Sequence, residues 1–331
     1  MSSPVGGTGA DRSAADGPVA FSATPSLAFR ILTEVAETAA VSLAAAAASA
    51  AAQRLTARLP RAAKATWERT NHAGSTVTLL EGPAWIGGAV SGLAVGAVFR
   101  RGAEGSSAAA GSPIAGLTVT VAAGALGALD DLAGTAARKG LRGHLGALRR
   151  REVTTGAVKV AGLALTGLVG AVIADGRRWA ADEGASGVVS GPASTASAAM
   201  STVVGGAVVA GAANAANLFD LRPGRALKVV MGAAGPLALT GSTSAAAALG
   251  TSAGVIGDDL AGVSMLGDTG ANAAGALVGL ALVERTGLRG RLIALGVLTA
   301  LTLASERISF TKVIESNGLL RRIDEWGRVR P

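Results

Sequence analysis

The chain has 331 residues, of which half are hydrophobic and only 16% are charged. A typical soluble domain has about 25% charged residues. The chain is therefore predicted to be an all-α polytopic membrane protein. The absence of cysteine excludes disulfides and thiol catalysis, and two histidines are too few for a histidine-based zinc site. The net charge of +8 does not indicate nucleic-acid binding, because the basic residues lie between apolar runs rather than on one soluble face.

Three regions follow one another along the chain. Residues 1–25 are rich in Ser, Gly, Ala and Pro and are predicted to be a disordered tail without the features of a signal peptide. Residues 26–304 hold nine apolar runs, which are predicted to be about nine transmembrane helices, and residues 305–331 are predicted to be a cytoplasmic C-terminal tail. The runs lie at 35–52, 84–99, 113–129, 156–174, 195–213, 226–239, 244–256, 273–283 and 292–304.

The predicted helices are unusually small in side-chain volume. Only 3% of the residues are aromatic, whereas 48 are glycine. Such helices pack backbone against backbone through small residues, and Gly88-x-x-x-Gly92-x-x-x-Gly96 has the spacing for this in one helix.

The distribution of basic residues predicts the topology. One alternating set of loops (53–72, 130–159, 220–228 and 305–331) carries 21 Lys and Arg, whereas the opposite set (100–107, 175–183 and 284–291) carries 7. The positive-inside rule therefore places the first set in the cytoplasm, with the N-terminus outside. Four acidic residues fall on this otherwise basic face and are interpreted as a functional site: Asp130, Asp131, Asp220 and Asp268.

The residue types at this face fit a site that handles phosphate. Converging carboxylates repel one another unless protons or a cation neutralise them, and oxygen ligands with no Cys and little His suit Mg²⁺ or Mn²⁺. Arg222 and Arg225 could hold phosphate oxygens. Gly267 and Gly270, on either side of Asp268, allow a tight turn with backbone N–H groups turned to an anion. These features predict chemistry on a phosphate-bearing substrate at the cytoplasmic leaflet.

Three motifs in order carry a resemblance to a known family. They are Asp130-Asp131, Asn214-x-x-Asn217-x-x-Asp220 and Leu266-Gly267-Asp268-x-Gly270. Together they resemble the polyprenyl-phosphate N-acetylhexosamine-1-phosphate transferase superfamily, which includes phospho-N-acetylmuramoyl-pentapeptide transferase. His72-Ala73-Gly74 is similar to part of the first cytoplasmic loop of that family, and Lys159 is similar to a lysine after its double-Asp loop. The resemblance covers about residues 70–280.

The resemblance implies a reaction and a set of roles. In the implied reaction, a sugar-1-phosphate passes from a UDP-N-acetylhexosamine to a polyprenyl phosphate at the cytoplasmic face of the plasma membrane, and UMP is released. The resemblance also implies a homodimer. Asp268 and Asp131 are implied Mg²⁺ ligands, and Asp130 and Asp131 are implied to assist the metal or to orient the lipid phosphate. The other implied or candidate site residues are Asp220, Asn214 and Asn217 at the uridine-diphosphate end, His72 and Lys159 on phosphate, and Asn272 in substrate binding.

The chain also departs from the muramoyl enzymes. Pro223 stands where those enzymes have a second Asp, the His-rich cytoplasmic loop is missing, and a tenth helix is not evident after Ser305. A non-catalytic homologue that binds lipid phosphate or an envelope-assembly partner is therefore the alternative function. A transporter is disfavoured, because the carboxylates fall at helix ends and no inverted repeat is evident. Structural roles also stay open: helix–helix bonds for Asn214 and Asn217, an ion pair for Asp220, and a loop position for Asp258-Asp259.

Overall fold

The computed structural model describes residues 26–70, 74–101, 111–133, 155–186 and 192–329. These residues form twelve helices and one antiparallel hairpin. The helices are α1 (Leu27–Ala57), α2 (Arg61–Ala65), α3 (Glu81–Arg101), α4 (Pro113–Ala133), α5 (Thr155–Ser186), α6 (Pro192–Phe219), α7 (Arg225–Leu239), α8 (Thr243–Leu260), α9 (Gly267–Arg285), α10 (Leu288–Ser305), α11 (Phe310–Ser316) and α12 (Gly318–Glu325), and the strands are β1 (Glu68–Thr70) and β2 (Thr76–Thr78). The predicted tail at 1–25 lies outside the described residues.

Each of the nine predicted apolar runs falls inside one of the longer helices, α1 and α3 to α10. Within the described residues, six helices are long and apolar enough to cross a membrane: Leu27–Ala57, Glu81–Arg101, Pro113–Ala133, Gly156–Gly176, Thr195–Phe219 and Leu288–Ser305. Helix α7, by contrast, has 15 residues and spans only about 22 Å, short of a hydrocarbon core about 30 Å thick. The structure thus supports a mostly helical polytopic membrane protein, and a count of nine spans stays a prediction.

Helix α9 is the central helix of the bundle. It contacts every helix from α3 to α8, and its small side chains make this possible. A Cβ atom placed on Gly279 would lie 2.8 Å from the Cβ of Ala212 and 2.9 Å from the Cα of Val209 in α6. Leu277 and Leu280 are fully buried around this close approach. A helix that is buried on nearly all sides shows no amphipathic period, and in α9 Gly, Ala, Leu and Val follow one another without forming a polar and an apolar face.

The glycine stripe of α3 packs against α1, as its spacing predicts. A Cβ atom on Gly92 would lie 2.8 Å from the Cβ of Ala45, and one on Gly88 would lie 2.9 Å from the carbonyl oxygen of Ala45. Gly96 meets the Thr243 side chain at the start of α8. Backbone contact of this kind replaces the bulky core that the composition lacks.

The β-hairpin is the one element that an all-α prediction does not contain. Arg69 pairs with Val77, and Thr78 forms a parallel bridge with Ser264. The Met265 backbone N–H donates to the carbonyl oxygen of Thr78 at 3.0 Å. The hairpin therefore fixes the chain segment that leads into α9.

The buried charged residues of the bundle lie at its two ends. At one end, Arg291 of α10 forms a buried ion pair with Asp175 of α5 at 2.6 Å, and the Glu284 carboxylate accepts from the Ser244 hydroxyl at 2.9 Å. At the other end stand the start of α3, the ends of α4, α6 and α8, and the start of α9. This second end carries the acidic motifs.

Candidate functional site

Asp131 joins the end of α4 to the start of α9. Its Oδ2 atom accepts from the Thr269 backbone N–H at 2.8 Å and from the Thr269 hydroxyl at 2.6 Å, and its Oδ1 atom accepts from the Asp268 N–H at 3.1 Å. The residue before α9, Leu266, makes no side-chain cap, so Asp131 supplies the acceptor that the first turn of a helix needs. Both oxygens of this predicted metal ligand are therefore engaged in positioning α9.

Lys159 of α5 lies between two other carboxylates. Its ammonium group is 3.4 Å from the Asp130 Oδ2 atom and also donates to the Asp268 Oδ2 atom. Asp130 and Asp268 lie within hydrogen-bonding reach of each other, and about a quarter of each side chain is exposed. The pair is thus accessible to a ligand, and one lysine neutralises part of its charge.

Asn217 and Asp220 bring the end of α6 to the same place. The Asn217 side chain lies within hydrogen-bonding reach of the Asp268 carboxylate, and the Asp220 carboxylate lies within similar reach of the Gly267 backbone N–H. Burial raises the pKa of Asp220 well above its usual value, and the charges of Asp259 and Asp268 raise it further. The three motifs, far apart in sequence, are therefore in direct contact.

Asn214 and Asn272 are not part of this cluster. The Asn214 amide donates to the Thr302 hydroxyl of α10 at 3.1 Å, which is the helix–helix bond that the sequence left open. Asn272 is fully buried in α9, and its two amide atoms have no hydrogen-bond partner within the described part of the chain, so the structure gives it no access to substrate. His72 lies outside the described residues.

Arg225 holds the C-terminal segment rather than facing the carboxylates. Its Nε and Nη2 atoms donate to the two oxygens of Asp324 at 2.7 and 3.0 Å, and its Nη1 atom donates to the Thr311 hydroxyl at 2.9 Å. Arg225 and Asp324 are both buried. Arg222 is exposed and pairs with Glu315 at 3.3 Å. The predicted phosphate-binding arginines thus bind residues 306–329, which we call the C-terminal clasp.

Further bonds tie the clasp to the turn between α6 and α7. The Lys228 ammonium donates to the carbonyl oxygen of Asp324 at 2.6 Å, and the Arg328 Nη2 atom donates to that of Pro223 at 3.2 Å. The same turn begins next to Asp220. The clasp therefore holds the backbone that carries a carboxylate of the cluster.

Two buried acidic residues outside the three motifs, Asp259 and Glu81, bond to backbone and side-chain groups next to the cluster. Asp259 lies in the last turn of α8 instead of in a loop, and its Oδ1 atom accepts from the Gly224 N–H at 3.0 Å. Gly224 has a φ of +73°, where a residue with a side chain is strained. Glu81 is fully buried and accepts from the Ser264 hydroxyl, which also accepts from Gln53 at 2.9 Å. The one sequence feature that could have indicated this role is the position of each acidic residue next to an apolar segment.

The donor set fits a metal ion that is shared with a substrate better than one held by protein alone. No group of three or more Asp, Glu or His residues is arranged to hold a metal in the part of the chain that the structure describes. Asp130 and Asp268 remain as two accessible carboxylates, since Asp131 caps α9. Mg²⁺ in proteins commonly takes one or two carboxylates and completes its shell with substrate phosphates and water. These two residues fit that mode of binding.

A methyl group at Gly127 is expected to disturb this geometry. Gly127 lies on α4 one turn before the double Asp, and a Cβ atom there would overlap the backbone of Asp268 and lie 2.6 Å from the Thr269 nitrogen. Overpacking of this kind typically costs about 1–3 kcal/mol, so Gly127→Ala should lower the free energy of unfolding in detergent by that amount. The matched variant Gly87→Ala, with no atom within 4 Å, should leave it unchanged or raise it. Equal effects of the two variants would contradict the close approach.

Acid is expected to release the clasp. Burial by itself raises the pKa of Asp324, but the hydrogen bonds from Arg225 and the charges of Arg225 and Arg328 outweigh it and hold the pKa below its usual value. The stability that this carboxylate contributes is complete above the pKa of an unfolded Asp, about 3.9, and is lost as pH falls through the lower folded pKa. A nitroxide attached at Glu325→Cys should become mobile in that acid range. With Asp324→Asn it should be mobile already at neutral pH.

The cluster brought together by the structure draws on four helices. Its members are Asp130 and Asp131 of α4, Lys159 of α5, Asn217 and Asp220 at the end of α6, and Asp268 of α9. Among the described residues, the cluster holds four carboxylates and one lysine, and the Arg69 guanidinium donates to the carbonyl oxygen of Asp131; the remaining negative charge of these residues favours a bound cation or protons. No family model matches this sequence, and no curated protein and no solved structure matches it.

Proposed function

We propose that the chain transfers a sugar-1-phosphate from a UDP-N-acetylhexosamine-type donor to a polyprenyl phosphate at the cytoplasmic leaflet, with release of UMP, for cell-envelope polysaccharide synthesis. The contact of the double Asp, the Asn-x-x-Asp end of α6 and the Gly-Asp start of α9 at one end of a membrane bundle supports this. The excess of Lys and Arg in the loops at that end supports a cytoplasmic position.

The proposed reaction is a phosphoryl transfer. An oxygen of the lipid phosphate forms a bond to the β-phosphorus of the donor, and the bond from that phosphorus to the bridging oxygen breaks. The bridging oxygen leaves with UMP, and the sugar-1-phosphate remains on the lipid phosphate as a pyrophosphate. Such reactions depend mostly on positioning and on neutralisation of charge.

The residues of the cluster divide these tasks. Asp130 and Asp268 would hold Mg²⁺, which when bound supplies positive charge to the phosphate oxygens. Lys159 turns its ammonium group to the phosphates as it does to the two carboxylates here. Asp131 fixes α9 by accepting from the N–H groups of Asp268 and Thr269, so that the Asp268 carboxylate keeps its direction. Asn217 and Asp220 shape the wall formed by α6.

A direct assay tests the proposal. Membranes that contain the protein, supplied with Mg²⁺, undecaprenyl phosphate and labelled UDP-N-acetylhexosamines, should form a lipid-linked product and equimolar UMP. Asp268→Asn should abolish both products, whereas Asp258→Asn, at an exposed position one helix away, should retain them. Absence of turnover with every UDP-sugar tested, or full turnover by Asp268→Asn, would overturn the proposal.

A non-catalytic protein that binds lipid phosphate is the second candidate. Lys159 already pairs with both accessible carboxylates, which neutralises part of the charge without a metal, and Pro223 replaces a second acidic residue after Asp220. Such a protein would retain labelled polyprenyl phosphate in the same membranes and release no UMP. The UMP measurement therefore separates the two functions.

A further inference from the structure

Helix α12 of the C-terminal clasp presents an apolar stripe away from the bundle. Leu319, Ile323 and Trp326 have exposed fractions of 68%, 51% and 77%. Leu319 and Ile323, four residues apart, lie on one side of the helix, and Trp326 directly follows the last helical residue, Glu325. Asp324 lies on the other side and binds Arg225. The helix is thus held by one face, and these three large apolar side chains keep half or more of their surface exposed within the described part of the chain.

The contacts of the clasp determine where this stripe lies relative to the ends of the membrane helices. Phe310 stacks on Phe219 with ring centroids 5.5 Å apart, and Phe219 is the last residue of a candidate membrane span. Asp324 is bound by Arg225, the first residue of α7, and Lys228 donates to the carbonyl oxygen of Ile323 at 3.1 Å. The stripe is therefore held at the end of the membrane helices and not away from them.

The composition of the segment fits the polar boundary of a bilayer. Tryptophan is enriched at membrane interfaces, and an amphipathic helix in the interface plane has apolar residues on one face and Lys or Arg on the other. Arg322 is exposed and lies beside the stripe, where it can reach lipid phosphates, whereas the exposed Arg321 lies on the opposite, polar side of the helix. The partner that matches these features is the headgroup region of the bilayer that holds the bundle.

We propose that residues 318–329 form an interfacial anchor, in which Leu319, Ile323 and Trp326 insert between the headgroups and acyl chains of the leaflet next to the acidic cluster. The inference does not depend on the transferase activity, because it rests on the clasp contacts alone. In this arrangement one face of the clasp binds the turn after Asp220 and the other face binds lipid.

The chain is well suited to a direct test, because it contains no cysteine. Single nitroxide labels are introduced into the full-length protein at Leu319→Cys and Ile323→Cys on the stripe, and at Arg321→Cys and Glu325→Cys as matched controls on the polar side. All four positions are exposed. The proteins are placed in bilayer nanodiscs of zwitterionic and anionic phospholipid, and collision rates with oxygen and with a water-soluble nickel chelate are measured.

Insertion predicts that the ratio of oxygen to nickel collision rates is several-fold higher for the two stripe positions than for the two controls. Equal ratios at all four positions would overturn the proposal, since the stripe would then face water. Stripe labels shielded from both reagents and broadened by spin–spin coupling would also overturn it, because a second copy of the chain would cover the stripe instead.

Discussion

Replacement of Arg225 by alanine is expected to lower the free energy of unfolding by about 3–5 kcal/mol, the usual effect of removing one partner of a buried ion pair. Asp324 is 8% exposed and receives two hydrogen bonds from Arg225. Without the Arg225 guanidinium it would keep, within the described part of the chain, a single hydrogen bond, from the Arg328 Nη2 atom at 3.0 Å, so much of its buried charge would be uncompensated. Denaturant unfolding in mixed micelles, followed by helical circular dichroism, measures the change.

Two variants serve as controls for that experiment. Arg222→Ala removes a pair whose side chains are 40% and 54% exposed, and exposed pairs contribute only about 0–1 kcal/mol. The double variant Arg225→Ala/Asp324→Ala should be more stable than Arg225→Ala alone, because it leaves no buried carboxylate that has lost its main partner. Equal losses for Arg222→Ala and Arg225→Ala would contradict the buried clasp.

The acidic cluster could be foreseen because alternation is a strong constraint. When successive apolar helices cross the bundle in turn, the ends of α4, α6 and α8 must meet the start of α9. Asp130, Asp220 and Asp268 therefore come to one end whatever the details of packing. The predicted runs fall inside the helices for the same reason, since apolar length is read directly from the sequence.

The partners of single charged residues could not be foreseen in the same way. Arg225 next to the Asn motif can bind a phosphate or a distant carboxylate equally well, and the Asp324 that it binds lies 99 residues further along the chain. Asp131 likewise has the same sequence context whether it binds metal or caps α9. These choices depend on which groups remain unsatisfied when the helices pack, and no local pattern reports them.

Short and central elements also escape pattern analysis, for two different reasons. The strands Glu68–Thr70 and Thr76–Thr78 have three residues each, too few to establish an alternating period. Helix α9 is long enough, but contacts on nearly all sides remove the contrast between faces. Burial of Asn272 follows from this, because its place in α9 leaves it no route to the surface.

Removal of Lys159 tests the chemistry of the cluster apart from its stability. Under the proposed function, Lys159→Ala should lower the turnover number about 10²–10³-fold, the usual loss when one positioned donor to a developing charge is removed. Lys159→Arg should restore part of the rate, because it keeps the charge but changes its geometry. Arg58→Ala, an exposed basic residue at the end of α1, should leave turnover unchanged. UMP release at saturating donor and lipid measures all three.

The unfolding free energy of the same variants decides how a loss of turnover is interpreted. The side chains of the Lys159 ion pairs are 15–26% exposed, against 5–8% for Arg225 and Asp324, so water screens the Lys159 pairs more and they contribute less to stability. Lys159→Ala should therefore combine a large loss of turnover with little loss of stability, whereas Arg225→Ala should lose stability first. If Lys159→Ala unfolds as readily as Arg225→Ala, the lysine holds the helices together and its role on phosphate is withdrawn. If it is stable and turns over at the wild-type rate, the cluster does not need the ammonium group for phosphoryl transfer.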